Sequence, residues 1–288
     1  MECCGKQIWT NLTKEMLGRL MIGRPDEVIR GAVKANWDAI AKPLDGMGRF
    51  EEMTAQIGAI TGDERLDLSE KAVLIFCADN GIVAEGVSQA GQEVTLAVAK
   101  SMAKNASSVG RMARFAGADA IPVDIGINSD LTIDGVLDKK IAHGTRDFLI
   151  EPAMSEEETL GAIETGIALV AECKDKGYRI LATGEMGIGN TTTSSAVAAA
   201  LLGCKSALVV GRGAGLSDRG LARKREVVET AIKKYDLYKT DVFTILRTVG
   251  GLDIAGLVGM CIGGALYHVP IVLDGVISMV AALAAERI

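Results

Sequence analysis

Continuous apolar runs alternate with amphipathic stretches over most of the chain. KAVLIFCADNG (71–81), DAIPVDIGI (119–127), YRILATG (178–184), SALVVG (206–211) and VPIVLDG (269–275) are short, apolar and punctuated by Gly, Asp or Pro. Runs of that kind predict strands buried on both faces. Between them, VTLAVAKSMAKNASSVGRMARFAG (94–117) and ETLGAIETGIALVAECKDKG (158–177) read as helical. Alternation of strand and helix implies right-handed βαβ crossovers. The predicted class is therefore α/β, a doubly wound, mostly parallel sheet. Residues 11–60 carry amphipathic helical patterns broken by KPLDGMGR (42–49), whose Pro and two Gly make a loop. A small helical subdomain is expected over residues 1–60, ahead of an α/β core over 61–288.

One stretch invites a different reading. IAGLVGMCIGGALYHVPIVL (254–273) has no Asp, Glu, Lys or Arg for twenty residues, and Gly259 and Gly263 form a GxxxG. That length would span a bilayer. His268 and Pro270 break it into a small-residue helix and a short strand, which suit the interior of an α/β domain.

Composition agrees with that interior. The 288 residues are 49% hydrophobic but only 4% aromatic, with 34 glycines, so the core must come from aliphatic side chains on closely spaced elements. A net charge of −6 speaks against nucleic acid, whose recognition needs a basic face, and leaves a small molecule or another protein as partner. Cys3, Cys4, Cys77, Cys173, Cys204 and Cys261 show no metal-ligand spacing and read as free thiols of a reducing compartment. No apolar signal region opens the chain, so the cytoplasm is expected.

In a doubly wound sheet ligands bind where strands end and helices begin. The run ending at 184 continues as GEMGIGNTTT, in which Gly184, Gly187 and Gly189 let backbone approach a ligand and the next helix offers N–H groups to an anion. The order is neither a dinucleotide fingerprint nor a Walker loop, and an ordinary tight turn would use the same glycines. Glu185, inside that turn, needs something other than an anion to face, such as ribose hydroxyls or a cationic ring. Asp79 and Asn80 end the first run and lead into a polar loop with Glu85, Ser88 and Gln92. A second glycine-rich turn, VVGRGAGLSDRG (209–220), precedes Arg223 and Lys224, where a lysine is more commonly a surface residue than a ligand. IAHGTRDFLIEPAMS (141–155) adds Gly144, Thr145 and Asp147, and its His143 reads as a structural histidine.

Taken in order, KPLDGMGR, CADNGIVAEGVS, VDIGI, HGTRD with EPAMS, GEMGIGNTTT, GLARK, VGGLDIAG and IVLDG resemble the nicotinate-nucleotide:dimethylbenzimidazole phosphoribosyltransferase family of cobamide nucleotide-loop assembly. The resemblance runs from about residue 42 to the end. It implies transfer of the phosphoribosyl group of nicotinate mononucleotide to an aromatic lower-ligand base, benzimidazole or phenolic, with release of nicotinate and without metal or cofactor. It also implies a catalytic Glu185, a phosphate cradle of Gly187, Gly189, Asn190 and Thr191, a nearby Lys224, and an acceptor pocket bordered by Asp79 and the loop through Ser88. Gly144 and Thr145 join as substrate-binding residues, and the core becomes a nucleotide-binding one. By analogy the partner is a second copy of the chain or a paralogue.

Two departures accompany the resemblance. Family members continue beyond the AALAAERI at which this chain stops, into a tail that carries a further glutamate assigned as general base. This raises the alternative of a partly catalytic or non-catalytic subunit of a heterodimer. Ala90 and Val98 are expected where benzimidazole-type members place Ser and Gln against the acceptor, so acceptor identity stays open.

Overall fold

The computed structural model describes residues 11–288; Cys3 and Cys4 lie outside them. Two short helical segments open the chain, α1 (Lys14–Leu17) and α2 (Glu27–Asp38), followed by α3 (Arg49–Thr61). Asp26 caps α2 through hydrogen bonds from the Val28 and Ile29 N–H groups. The α2–α3 pair is held by Trp37, whose indole donates to Thr54 at 2.7 Å and meets the Phe50 ring edge-on. A buried Lys42–Glu51 ion pair at 2.8 Å closes the connecting loop.

The remainder forms β1 (Lys71–Ala78), α4 (Glu93–Ala103), α5 (Ser108–Phe115), β2 (Asp119–Gly126), β3 (Leu137–Asp138), α6 (Glu156–Asp175) and β4 (Ile180–Met186). After these come α7 (Asn190–Leu202), α8 (Ser206–Val209), α9 (Asp218–Lys234), α10 (Val242–Val249), α11 (Leu252–Tyr267), β5 (Ile271–Val272) and α12 (Val276–Arg287). The five strands are all parallel in the order β3-β2-β1-β4-β5. Side chains of β1 divide between the two faces, as a strand period of two requires. Leu74 and Phe76 join the core with α6 and α11, while Ile75 and Cys77 pack with Ala99 and Met102 of α4.

The uncharged segment is a core helix. Among the described residues no helix is long and apolar enough to cross a membrane. The GxxxG glycines let α11 lie directly on α6: a Cβ on Gly259 would collide with the Ile163 carbonyl, and one on Gly166 with that of Gly256. His268 ends α11 in the left-handed conformation and Pro270 follows, with β5 beyond.

Three local expectations change. SALVVG is not a strand; Ser206–Val209 is helical, with Leu208 exposed. The neighbour it would need is supplied by β5, which fills the place beside β4, and a short apolar run does not distinguish strand from helix. The turn after it therefore joins two helices. The long helix expected over 94–117 is two helices, broken where Asn105 takes a left-handed φ of 51°. The strand β3 is two exposed residues, too short to leave a period in the sequence.

Gly259→Ala is expected to destabilise the protein by about 1–3 kcal/mol or more through overpacking of α11 on α6. In urea its midpoint should fall at unchanged slope. Gly31→Ala, which meets nothing within 4 Å, should leave the midpoint in place or raise it.

Candidate active site

The connections leaving β1 and β4 run to opposite sides of the sheet, and in a doubly wound sheet that switch point, at the carboxyl ends of the strands, is where the ligand crevice lies. Gly187, after β4, is forced: its Cβ would lie 2.5 Å from the Ala78 carbonyl and 2.6 Å from Asp253 Oδ2. Gly189 has φ 97°, open only to glycine at low cost, and starts α7 without any side-chain cap. The first turn of α7 is thereby left facing the crevice, with the partial positive charge of a helix N-terminus.

Three elements converge on Asn190, the first residue of α7. Its Nδ2 donates to Glu185 Oε2 on β4 and, at 3.1 Å, to Asp253 Oδ2 on α11. This commits the Asn190 side chain to two acids, and its backbone N–H donates to the Gly187 carbonyl at 3.0 Å, so the turn offers an anion the helix dipole and the Thr191 side rather than Asn190. Burial raises the pKa of Glu185; the Asn190 hydrogen bond opposes the rise and the Asp274 charge adds to it. Asp253 is fully buried, and burial together with the Glu185 charge pushes its carboxyl up to about 7.

At the next residue, Thr191 Oγ1 accepts a 2.7 Å hydrogen bond from Lys224 Nζ on α9. Lys224 is not on the solvated face its charged neighbours suggest: it is 1% exposed, and no carboxylate pairs with it among the described residues. Burial alone brings its pKa down to about 8. Gly213, at φ 56°, covers the pair; a Cβ there would stand 2.9 Å from Thr191 Oγ1 and 3.5 Å from Lys224 Nζ.

On the β1 side, Asp79 is buried, accepts from the Asn128 N–H at 2.9 Å and faces the Thr95 hydroxyl. Burial raises its pKa. The 141–155 loop closes over this strand end: Thr145 N–H donates to the Asp79 carbonyl at 3.0 Å, and Thr145 Oγ1 accepts from Gly81 N–H at 3.1 Å. Gly144 turns there at φ 76°. The loop is anchored by a capping box, Ser155 with Glu158, and by a two-pronged ion pair from Arg146 to the same glutamate.

Ser88 lies in the following loop, half-buried, and accepts only from its own loop at Ala90. Gln92 is tied inward, donating to the Asn80 carbonyl at 3.2 Å and accepting from Asn128 at 3.0 Å. Val98 packs into the core between α4 and the sheet, not along this loop. His143 is half-exposed, 3.7 Å from exposed Asp130.

The geometry thus joins a helix N-terminus, a buried lysine and a pair of acids in one crevice. A family model described as Phosphoribosyltransferase matches residues 22–288. The nicotinate-nucleotide--dimethylbenzimidazole phosphoribosyltransferase of Clostridium perfringens is 43% identical over 251 residues, 87% of this chain and 70% of that protein. Its counterpart in a Roseiflexus species is 42% identical over 276 residues, 96% and 78% of the two chains. The crystal structure of CobT from Thermus thermophilus superposes with a TM-score of 0.85 at 32% identity, covering 90% of this chain and 78% of that one.

The chain belongs to the phosphoribosyltransferase family. The sequence reading names Asn80 only as a strand-end residue beside Asp79 and does not single out Asp253, which the fold brings onto Asn190. Asp253 had a signal: it is the lone acid between Gly250–Gly251 and an uncharged helix, a costly place for a carboxyl without a task.

The Lys224 pKa has a stability consequence whose sign is fixed. Its folded value, about 8, lies below the 10.5 of a free lysine, so the unfolded chain binds more protons between them and native stability rises with pH there. Below pH 8 the full penalty of the buried ammonium is present. Lys224→Met should therefore stabilise the nucleotide-free protein at neutral pH, on the order of 2 kcal/mol. That advantage over wild type should shrink as pH rises toward 10, measured by urea unfolding.

Proposed function

We propose that this protein transfers the phosphoribosyl group of nicotinate mononucleotide to an aromatic lower-ligand base, giving an α-riboside 5′-phosphate and nicotinate. The observation that carries the reading is the buried Lys224 ammonium on Thr191, without a counter-ion, beside the uncapped start of α7. A phosphate dianion supplies the missing charge and faces the positive end of the α7 dipole beside Thr191. The likeness to relatives named for this reaction supports the same assignment.

With the phosphate on Thr191 and Lys224, the ribose extends toward Glu185. The C1′–N bond of the nucleotide breaks with its electron pair going to the pyridinium nitrogen, and nicotinate leaves with that ring neutral. The acceptor nitrogen, or a phenol oxygen, supplies the pair for the new bond to C1′ from the opposite face and loses its proton. A carboxylate beside C1′ stabilises the positive charge that develops on the ribose, and Glu185, with its raised pKa, is suited to receive the proton. Asp79, Gly144, Thr145 and the loop through Ser88 border the acceptor side of the crevice in this reading. We take the assembly to be a dimer, of two copies or with a paralogue. The exposed apolar residues Val28, Leu44, Met47 and Met53 around α2 and α3 support that view.

Purified protein, alone and with any co-purifying paralogue, should release nicotinate from nicotinate mononucleotide only when an acceptor is present. Glu185→Gln should lower turnover by roughly 10²–10⁴-fold with the thermal midpoint retained. Absence of turnover in every combination, or an unchanged rate in Glu185→Gln, would contradict the reading.

A further inference from the structure

Asp253 is wholly buried, and no cation lies beside it among the described residues. Its carboxyl accepts from the Asn190 amide at 3.1 Å and from the Ile254 N–H at 2.9 Å, and the same Asn190 nitrogen donates to Glu185. Two ionised carboxylates on one amide repel strongly in a dry site; a single proton between them removes that cost. An orphan acceptor stands close by. Asn80 Oδ1 is buried without a partner. Asn80 Oδ1 and Asp253 Oδ1 each lie 2.5 Å from the point a Cβ on Gly251 would occupy. Both oxygens border the one space this glycine leaves open, where an O–H on Asp253 would give Asn80 Oδ1 the donor it lacks.

We propose that Asp253 is a positioning residue for the transfer: as the protonated acid it donates to Asn80 Oδ1, accepts from Asn190, and so fixes the amide that orients Glu185. This deepens the phosphoribosyl-transfer reading and rests on it for its kinetic part. Glu185 is only half-buried and is the ionised member of the pair; Asp253 has no outlet to water. Gly187 and Gly251 are both required, since a Cβ at either would press on the Asp253 carboxyl.

The titratable group that faces Asp253 is Glu185 from β4, with Asp274 behind it; the buried Cys77 thiol of β1, on the α4 face of the sheet, and Asp124 of β2 beside that thiol lie within electrostatic reach. All of these are acids or thiols, so each disfavours a second negative charge. From α7 and the loop after β1 come the neutral amides of Asn190 and Asn80, and α6 meets α11 through glycines further along. With the Asp253 carboxyl raised to about 7, the bond to Asn80 is present below that pH and lost as pH rises through it.

The test combines carbon-13 NMR of the side-chain carboxyls in the full chain with pH–rate profiles of wild type, Asp253→Asn and Asp253→Ala. One carboxyl should titrate near pH 7 in wild type and vanish from the Asp253→Asn spectrum. Asp253→Asn offers an N–H to Asn80 and an oxygen to Asn190 at every pH. Its kcat near pH 6 should stay within about tenfold of wild type, and its alkaline decline should disappear. Asp253→Ala should lose about 100-fold or more in kcat with KM for nicotinate mononucleotide changed less than about threefold. All carboxyls titrating below about pH 5, or Asp253→Asn as inactive as Asp253→Ala, would overturn the proposal. The NMR result is independent of whether Asp253→Ala folds. Wild type without turnover would retire the transfer reading and the positioning role with it, while the titration still reports where the proton sits.

Discussion

The crevice between the ends of β1 and β4 is the constraint on which the rest depends. These two neighbouring parallel strands send their chains to opposite sides of the sheet, and at such a switch point a doubly wound sheet binds its ligand. Everything that lines it arrives on a segment whose path the sheet already dictates: Asp79 and Asn80 at the end of β1, Glu185 at the end of β4, Asn190 and Thr191 on the helix that follows. Close approach is then a matter of glycine. Gly187 and Gly189 allow the turn to press against the β1 end, and Gly166 with Gly259 let α11 lie near enough to bring Asp253 to the same point.

The site is stabilised from outside itself. A buried ammonium and two buried carboxyls each oppose folding, and the aliphatic core between α6, α11 and the sheet offsets them, with Ile163, Ile167, Phe76 and Leu257 fully excluded from water. The Ser155–Glu158–Arg146 cluster plays a similar part for the loop over Asp79, holding it without taking part in chemistry. A charged lysine without a counter-ion is a cost to the empty protein and a ready contact for a phosphate, so stability and binding pull in opposite directions at Lys224.

Much of this was legible in the sequence because it is local. GEMGIGNTTT announces its turn through glycines that only a strand-to-helix reversal needs, and the strand runs at 71–81, 119–127, 178–184 and 269–275 hold their places in the sheet. What was not legible depends on distant segments. SALVVG has the apolar content of a strand but no free sheet edge to join. Lys224 sits among Arg223, Arg225 and Glu226 and looks solvated; the Gly213 loop folds back over it, and its partner Thr191 lies on the distant start of α7. Asp253 and Asn80 meet only because α11 packs onto β1.

The most direct measurement is a crystal structure of the protein with nicotinate mononucleotide bound. The phosphate is expected within hydrogen-bonding distance, about 2.7–3.2 Å, of Lys224 Nζ and the first turn of α7, with the ribose beside Glu185. A nucleotide seated away from the β1–β4 crevice, or one whose phosphate leaves Lys224 unpaired, would contradict the assignment.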